Sequence, residues 1–461
     1  MSKTLLTDTL NRALDFLEEL PERRVASDVD LAALREAMGG PMPAHGATAD
    51  DVIASLDATV RPAVVANAGP RFFGFVIGGV HPVALAADWL VSTWDANHGL
   101  YVLGPAASVA EETAGRWMLE LLGLPVPSSF AFVTGGQMAN FTALAAARHE
   151  VLRRAGWDVE TRGLHGSPGI DIVASDESHI TVHRALRYLG IGTGAVRKVD
   201  SDDQGRMLPA SLRRVLSECR RPVIVCAQAG DVNSGAFDPF EAIVPIVREK
   251  GAWLHVDGAF GLWAAASEKH GHLTRGIDGA DSWAVDAHKW LNVPQDCGVA
   301  IVAHPEAHRA AMSTNTAYLV KSGGAERDPV DWTPEFSRRA RAIPVFATLK
   351  HLGRSGVADL VDRCCALTRR MVDRLTVSPD VKVLNDVVLN QALIRFRDDD
   401  ETTREVISRV QRDGTCWLGG TVWKGVAAMR ISIINATTTE ADVDRSAEAI
   451  LRSLVSGEEH Q

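Results

Sequence analysis

From about residue 128 onward the chain alternates short, largely apolar runs with stretches of helical periodicity, and this alternation restricts it to one kind of architecture. The runs at 130–133, 170–174, 223–227, 253–256, 283–285 and 299–302 have the composition of strands buried on both faces, and several lie about one crossover helix apart. An α/β fold with a mostly parallel sheet follows. At 461 residues the chain exceeds the size at which one core stops growing, so at least two domains are expected. After a long, interrupted helical pattern at 343–375, the runs at 381–384, 391–396 and 429–434 predict a second, smaller α+β domain. Its last helix should start at Thr439, with Asp442 as capping-box partner, and end near Leu454.

At the other end, Leu5, Leu6, Leu10, Ala13, Leu14 and Leu17 recur at helical spacing, giving an amphipathic helix that needs a partner surface and that Pro21 ends. Residues 41–48 read as a linker before a helix opening near 48–51. The stretch 308–341 is polar, carries Gly323-Gly324, Pro329 and Pro334, and lacks sustained periodicity. A segment that long inside a compact protein is usually a functional loop.

The formal charge of −10 and the absence of any dense Lys/Arg block argue against nucleic acid or an anionic membrane as the main partner. Residues 1–24 have acids among their leucines, unlike a signal peptide, and no apolar run reaches transmembrane length. The six cysteines form no C-x-x-C pair, which suits reduced thiols in a cytoplasmic protein and gives neither a disulfide framework nor a metal cluster.

Two of the apolar runs lead into ionisable groups. Leu254-His255-Val256 ends in Asp257, and Trp283-Ala284-Val285 continues through Asp286-Ala287-His288 to Lys289, so a carboxylate and an amine arrive at one sheet edge. Taken singly, a strand-end acid is usually a turn cap and a lysine there is usually solvated. As a pair they match the two anchors of pyridoxal 5'-phosphate. The amine can form a Schiff base with the cofactor aldehyde, while the carboxylate holds a proton on the pyridine nitrogen. An amine among apolar groups beside another cation is available in its neutral, nucleophilic form. Gly258 and Ala259 are small enough for a flat ring to approach the backbone.

Thr134-Gly135-Gly136-Gln137 forms a strand-to-helix turn. Two glycines there often mark only a tight turn, but the free N–H groups of a helix start also bind phosphate, and the Thr134 hydroxyl adds a contact. His179 follows Ser175-Asp176-Glu177-Ser178 after another strand. A lone histidine is more often a helix-start residue; beside a cofactor its imidazole can stack on the ring.

These segments occur in order with Arg71-Phe72-Phe73, Gly235-Ala236-Phe237-Asp238, Asp296-Cys297-Gly298 and Ser337-Arg338-Arg339. From about residue 50 to 450 the chain resembles the group II, pyridoxal-phosphate-dependent amino-acid decarboxylases of the aromatic-L-amino-acid and glutamate decarboxylase family. The resemblance implies a fold-type-I, aspartate-aminotransferase-like homodimer with a mostly parallel seven-stranded large-domain sheet and active sites at the subunit interface. It divides the chain into a helical segment (1–75) packing on the partner subunit, a large cofactor-binding domain (76–345) and a small C-terminal domain (346–461). By matching position, Lys289 would bind the cofactor covalently and Asp257 would pair with its ring nitrogen. Ala259 and His179 would lie on the two ring faces. Thr134, Gly135, Gly136 and Gln137 would hold the phosphate with His288 nearby, and Arg430 would meet the substrate carboxylate. Phe75 and Tyr101 fall in segments that line the substrate side.

The expected reaction is decarboxylation of an L-amino acid to its amine and CO2, with an aromatic or apolar side chain favoured because few cations lie nearby. Aldehyde synthesis or transamination on the same fold is one alternative, and a catalytically silent binding or scaffold subunit is another. Several positions depart from the family. Where animal and plant members carry a loop tyrosine three residues before a tryptophan, this chain has Pro329 before Trp332, and proline donates no proton. Tyr318, at the start of the same loop, and the histidines His179 and His98 are then the donors to consider. Asp231 and Asp286 stand where better-known members carry neutral polar residues, and both add negative charge near the cofactor.

Overall fold

A computed structural model describes residues 3–314 and 326–455. The apolar runs and one further segment become strands β1 (Ser129–Val133), β2 (Asp171–Ser175), β3 (Val196–Val199), β4 (Val223–Gln228), β5 (Trp253–Asp257), β6 (Ser282–Asp286) and β7 (Gly298–Val302). They form one seven-stranded sheet in the order β1-β7-β6-β5-β4-β2-β3. All neighbours pair in parallel except β7, which runs antiparallel to both β1 and β6. β1 therefore points the same way as the five parallel strands. β7 must reverse because the connection at 287–297 is too short for a crossover.

Helices α1 (Lys3–Glu19), α2 (Leu31–Met38), α3 (Ala49–Val60), α4 (Pro82–Trp94) and α5 (Pro105–Leu121) precede the sheet. Its strands are joined or followed by α6 (Gly136–Arg154), α7 (Val159–Arg162), α8 (Ile180–Tyr188), α9 (Pro209–Glu218), α10 (Phe240–Lys250) and α11 (Pro305–Met312). Alternate strand residues feed two cores. Phe132, Val225 and Val285 face α5 and α10, whereas Ile172, Ile224 and Trp253 face α6 and α8. Both faces are covered, which is why β4, β5 and β6 are buried at every position.

The second sheet, β8 (Val381–Val383), β9 (Gln391–Phe396), β10 (Gly419–Trp423) and β11 (Val426–Ser432), is antiparallel in the order β10-β11-β9-β8. It packs with α13 (Asp400–Asp413) and α14 (Glu440–Val455). Helix α12 (Ala342–Leu375) ties the two units together, with Val345 and Val361 in the first core and Leu367 and Met371 in the second. The interruption expected in this helix falls at Gly353, whose φ of 62° is a glycine conformation. The reciprocal cap is present as well: the Thr439 N–H donates to Asp442 Oδ2 at 2.9 Å and the Asp442 N–H donates to Thr439 Oγ1 at 3.2 Å.

α1, α2 and α3 bury none of their residues within one chain, and Leu6, Leu10, Leu14 and Leu17 remain exposed on α1. Within 308–341, α11 extends to Met312 and a 3-10 turn spans Pro329–Asp331, so part of the expected loop is regular. Tyr318 and Gly323-Gly324 lie outside the described residues.

Candidate active site

Because β1, β2, β4, β5 and β6 run the same way, their carboxyl ends share one edge, the ligand-binding edge of an open α/β sheet. Thr134 follows β1, His179 follows β2, Gln228 ends β4, Asp257 ends β5, and Asp286 ends β6 just before Lys289. The sheet thus brings five segments, far apart in sequence, to one edge.

Asp257 is 6% exposed and uses both oxygens. Oδ1 accepts from the Ala259 N–H at 3.2 Å, and Oδ2 accepts from Asn140 Nδ2 at 3.0 Å. Asn140 sits about one turn into α6 and extends a buried chain of hydrogen bonds. Its Oδ1 lies 2.9 Å from His255 Nε2, His255 Nδ1 lies 3.0 Å from Ser282 Oγ, and Trp253 Nε1 donates to that hydroxyl at 2.9 Å. A carboxylate only accepts, so Asn140 turns its amide NH2 to Asp257 and its oxygen to His255, which makes Nε2 the protonated ring nitrogen. Burial pushes His255 down to about 4 against the opposing pull of Asp257, leaving the imidazole neutral near pH 7.

The Lys289 amine lies 3.2 Å from Asp286 Oδ2. This corrects one expectation, since the group beside the lysine is a carboxylate rather than a second cation. His288 turns Nδ1 to accept the Cys297 N–H at 3.1 Å and holds Nε2 3.7 Å from Asp286 Oδ1. The lysine turn is fixed from behind by fully buried Asn292, which accepts from the Gly79 and Ala436 N–H groups at 2.9 Å and donates to the carbonyls of Trp290 and Ile434. Gly78 lies so close to the Lys289 carbonyl that a Cβ there would overlap it.

At the β1–α6 turn, Gly135 has φ 140°, a conformation that requires glycine. Gly136 opens α6 beneath Asp286, where an added methyl would lie 2.7 Å from Oδ2. Gly298, at the start of β7, packs directly on the Gly135 backbone. Both polar atoms of the Gln137 amide are buried without a partner. Thr134 is half-buried beside them.

His179 is the N-cap of α8, with Nδ1 2.7 Å from the Thr181 hydroxyl and its N–H donating to Gln228 Oε1 at 3.2 Å. Burial lowers its pKa; Asp257 opposes this, whereas Lys289 and Arg430 reinforce it. Gln228 is anchored by its own N–H to buried Asp238 at 2.7 Å, an acid that burial raises to about 7. Arg430 lies on β11 opposite Leu393 and Gly419. Burial lowers its pKa while nearby Asp231, 1% exposed, favours its charge.

The remaining expected residues lie at the margin. Phe75, at φ 54° and 61% exposed, stacks on Trp417 at 5.2 Å, and Trp417 in turn stacks on Phe72 at 4.9 Å. Tyr101 opens a 3-10 turn and is held through its N–H to Asp328 at 2.8 Å. No hydrogen bond or ring contact joins it to the lysine turn among the described residues. His98 is fully buried 3.2 Å from Glu111, in a cluster that also contains Arg338 and Arg327. Burial would raise Glu111, but these three partners hold it well below the usual carboxylate range.

The sequence reading missed Asn140, Thr181, Asn292 and the packing role of Gly298. Asn140 left a faint signal as a polar residue on the apolar face of a helix, and His255 as one within an apolar strand.

A family model for the pyridoxal-dependent decarboxylase conserved domain matches residues 33–397. The chain is 26% identical over 445 residues to an aromatic-L-amino-acid decarboxylase of Bacillus atrophaeus, covering 93% of this chain and 90% of that one. It is 31% identical over 359 residues to an acidic amino acid decarboxylase of Mus musculus, covering 76% of this chain but only 64% of the relative. A crystal structure of Oryza sativa TDC with PLP and tryptamine has the same fold, with a TM-score of 0.92 at 23% identity over 99% of both chains.

Proposed function

Since the chain belongs to the pyridoxal-dependent decarboxylase family, we propose that it removes CO2 from an L-amino acid with an aromatic or apolar side chain, as a cytoplasmic homodimer with interface active sites. The observation that carries this reading is the convergence of Lys289, Asp257 and the open helix start at Gly135 and Gly136 on one sheet edge. The residues fit pyridoxal 5'-phosphate. The unpartnered Gln137 amide and the side-chain-free surface of Gly135 and Gly136 leave donors for a phosphate where the helix dipole favours an anion.

When bound, the cofactor supplies an electron-withdrawing ring that accepts the electron pair left by departing CO2. Lys289 is the amine that would hold it covalently. Asp257, oriented through both oxygens, would keep a proton at the ring nitrogen. Ala259 and His179 would confine the ring from its two faces, with Thr134, Gly135, Gly136, Gln137 and His288 around the phosphate. His179 ties Nδ1 to Thr181 and so has Nε2 left to hold or deliver a proton on the substrate side. Arg430 would orient the substrate carboxylate.

The aromatic or apolar preference rests on Phe75, which stacks on Trp417 and lies on the loop whose Gly78 abuts the lysine turn. The dimer is supported by the exposed leucines of α1 and an apolar groove of about 440 Å³ between α1, α3 and α4, lined by Phe16, Leu17, Leu56 and Trp89. Residues 1–75 would then lie against the partner subunit, with 76–345 and 346–461 as the large and small domains. All six cysteines are free and buried, as suits a reducing compartment.

The test is a product assay across the twenty amino acids with added pyridoxal phosphate, scoring CO2, amine, aldehyde and peroxide, with sedimentation for the oligomer. Amine and CO2 in equal amounts from aromatic or apolar substrates are expected. Aldehyde with peroxide, or no CO2 from any substrate, would refute the reading.

A further inference from the structure

Asp286 is 2% exposed and its backbone is pinned on both sides. Its N–H donates to the Ala259 carbonyl at 2.8 Å and its carbonyl accepts from Trp263 Nε1 at 2.9 Å. The side chain is thereby aimed at the start of α6, where an added methyl on Gly136 would meet Oδ2 at 2.7 Å and one on Gly135 would meet Oδ1 at 3.6 Å. A carboxylate at a helix start ordinarily caps it by accepting N–H groups. This one does not: Oδ1 has no hydrogen-bond partner, and Oδ2 faces the Lys289 amine at 3.2 Å. The Gln137 amide beside it is also unfilled. The cradle thus keeps its donors open for an incoming anion while already containing a buried negative charge.

We propose that Asp286 is a resident anion of the phosphate cradle, a positioning residue that holds Lys289 before cofactor arrives and weakens the grip on phosphate so that the cofactor stays exchangeable. The inference rests on the reading that this turn receives the cofactor phosphate. Two like charges a few Å apart in a partly desolvated site repel far more than in water, and the same charge is the counterion of the lysine. Cofactor occupancy then follows cofactor supply instead of staying fixed.

The full-length protein, stripped of cofactor, is titrated with pyridoxal phosphate, with pyridoxal and with inorganic phosphate, as wild type, Asp286→Asn and Asp286→Ser. Thermal unfolding verifies that each variant is folded, and either variant suffices for the comparison. Both variants should bind inorganic phosphate at least about tenfold more tightly, the effect of removing a neighbouring unit charge. The ratio of pyridoxal phosphate to pyridoxal affinity should rise by a similar factor. An unchanged or weakened phosphate affinity in the variants overturns the role of Asp286. If the wild type nevertheless binds pyridoxal phosphate covalently at Lys289, shown by borohydride trapping and peptide mass, the cofactor reading survives that result. A wild type that captures no pyridoxal phosphate overturns both.

Discussion

Replacing Asn140 by leucine is the sharpest probe of how the site is built, because leucine keeps the branching and heavy-atom count of the side chain while removing its three hydrogen bonds, one of them to Thr181 Oγ1 at 3.1 Å. Asn140 also donates to Asp257 Oδ2 at 3.0 Å and accepts from His255 Nε2 at 2.9 Å. A hydrogen bond to a charged group is worth about 1.5–3 kcal/mol. If that bond holds Asp257 in the orientation needed in the transition state, its loss lowers kcat by about tenfold to about a hundredfold. Binding of substrate uses other groups, so KM should change little. The assay is steady-state amine release with saturating pyridoxal phosphate, paired with borohydride trapping to show that Lys289 still takes up cofactor. The decisive control is a double-mutant cycle with Asp257→Asn, in which Asn140→Leu should cost little more, since Asn140 acts through Asp257. A variant that keeps over half of wild-type kcat, or one whose loss adds fully to that of Asp257→Asn, refutes the reasoning.

Lys289→Ala should abolish every borohydride-trapped cofactor adduct; an adduct at another lysine in a still active protein would end the assignment. Gly298→Ala puts a methyl into the Gly135 backbone, so it should destabilise the fold by about 1–3 kcal/mol, as overpacking does, and weaken cofactor binding with it; a calorimetric scan and a cofactor titration that both match wild type would contradict this contact. His255 binds its proton near 6.5 in the unfolded chain but only at about 4 when folded. The unfolded state therefore takes up the proton first as pH falls, and stability drops across pH 6.5 to 4 by at most about 3 kcal/mol from this group. His255→Gln should flatten denaturant-midpoint curves over that window; identical slopes in variant and wild type would show that His255 does not titrate this way.

What the chain disclosed of itself follows from where the physics is local. Asp257 and Lys289 were legible because the first ends an apolar strand and the second follows one by three residues, and strand direction alone then sets them on one edge. The helix break at Gly353 and the Thr439–Asp442 cap were equally local. β3 escaped notice because it is a partly exposed edge strand without an apolar run, and β10 because it opens with two glycines. Asn140 escaped because its partners Asp257 and His255 are 117 and 115 positions away. Nothing in local periodicity reports a pairing at that distance. The reversal of β7 was readable in principle from the short 287–297 connection, and it matters functionally because it brings Gly298 against Gly135.

Two carboxylates end neighbouring strands of this sheet, and their surroundings assign them different work. Asp257 is held by donors on both oxygens, Ala259 on Oδ1 and Asn140 and Thr181 on Oδ2, and its support extends through His255 and Ser282 to Trp253. A carboxylate so tied can neither turn nor change partner, which suits keeping one proton at one place. Asp286 is as deeply buried, but its Oδ1 accepts no hydrogen bond and has only His288 Nε2 at 3.7 Å, while a lysine neighbours Oδ2. It can trade that neighbour when the lysine is engaged. The same substitution at the two positions should therefore act in opposite directions. Asp257→Asn should retain cofactor and lose turnover, whereas Asp286→Asn should gain cofactor affinity; matched losses of affinity in both variants would mean that the two acids serve one shared electrostatic role.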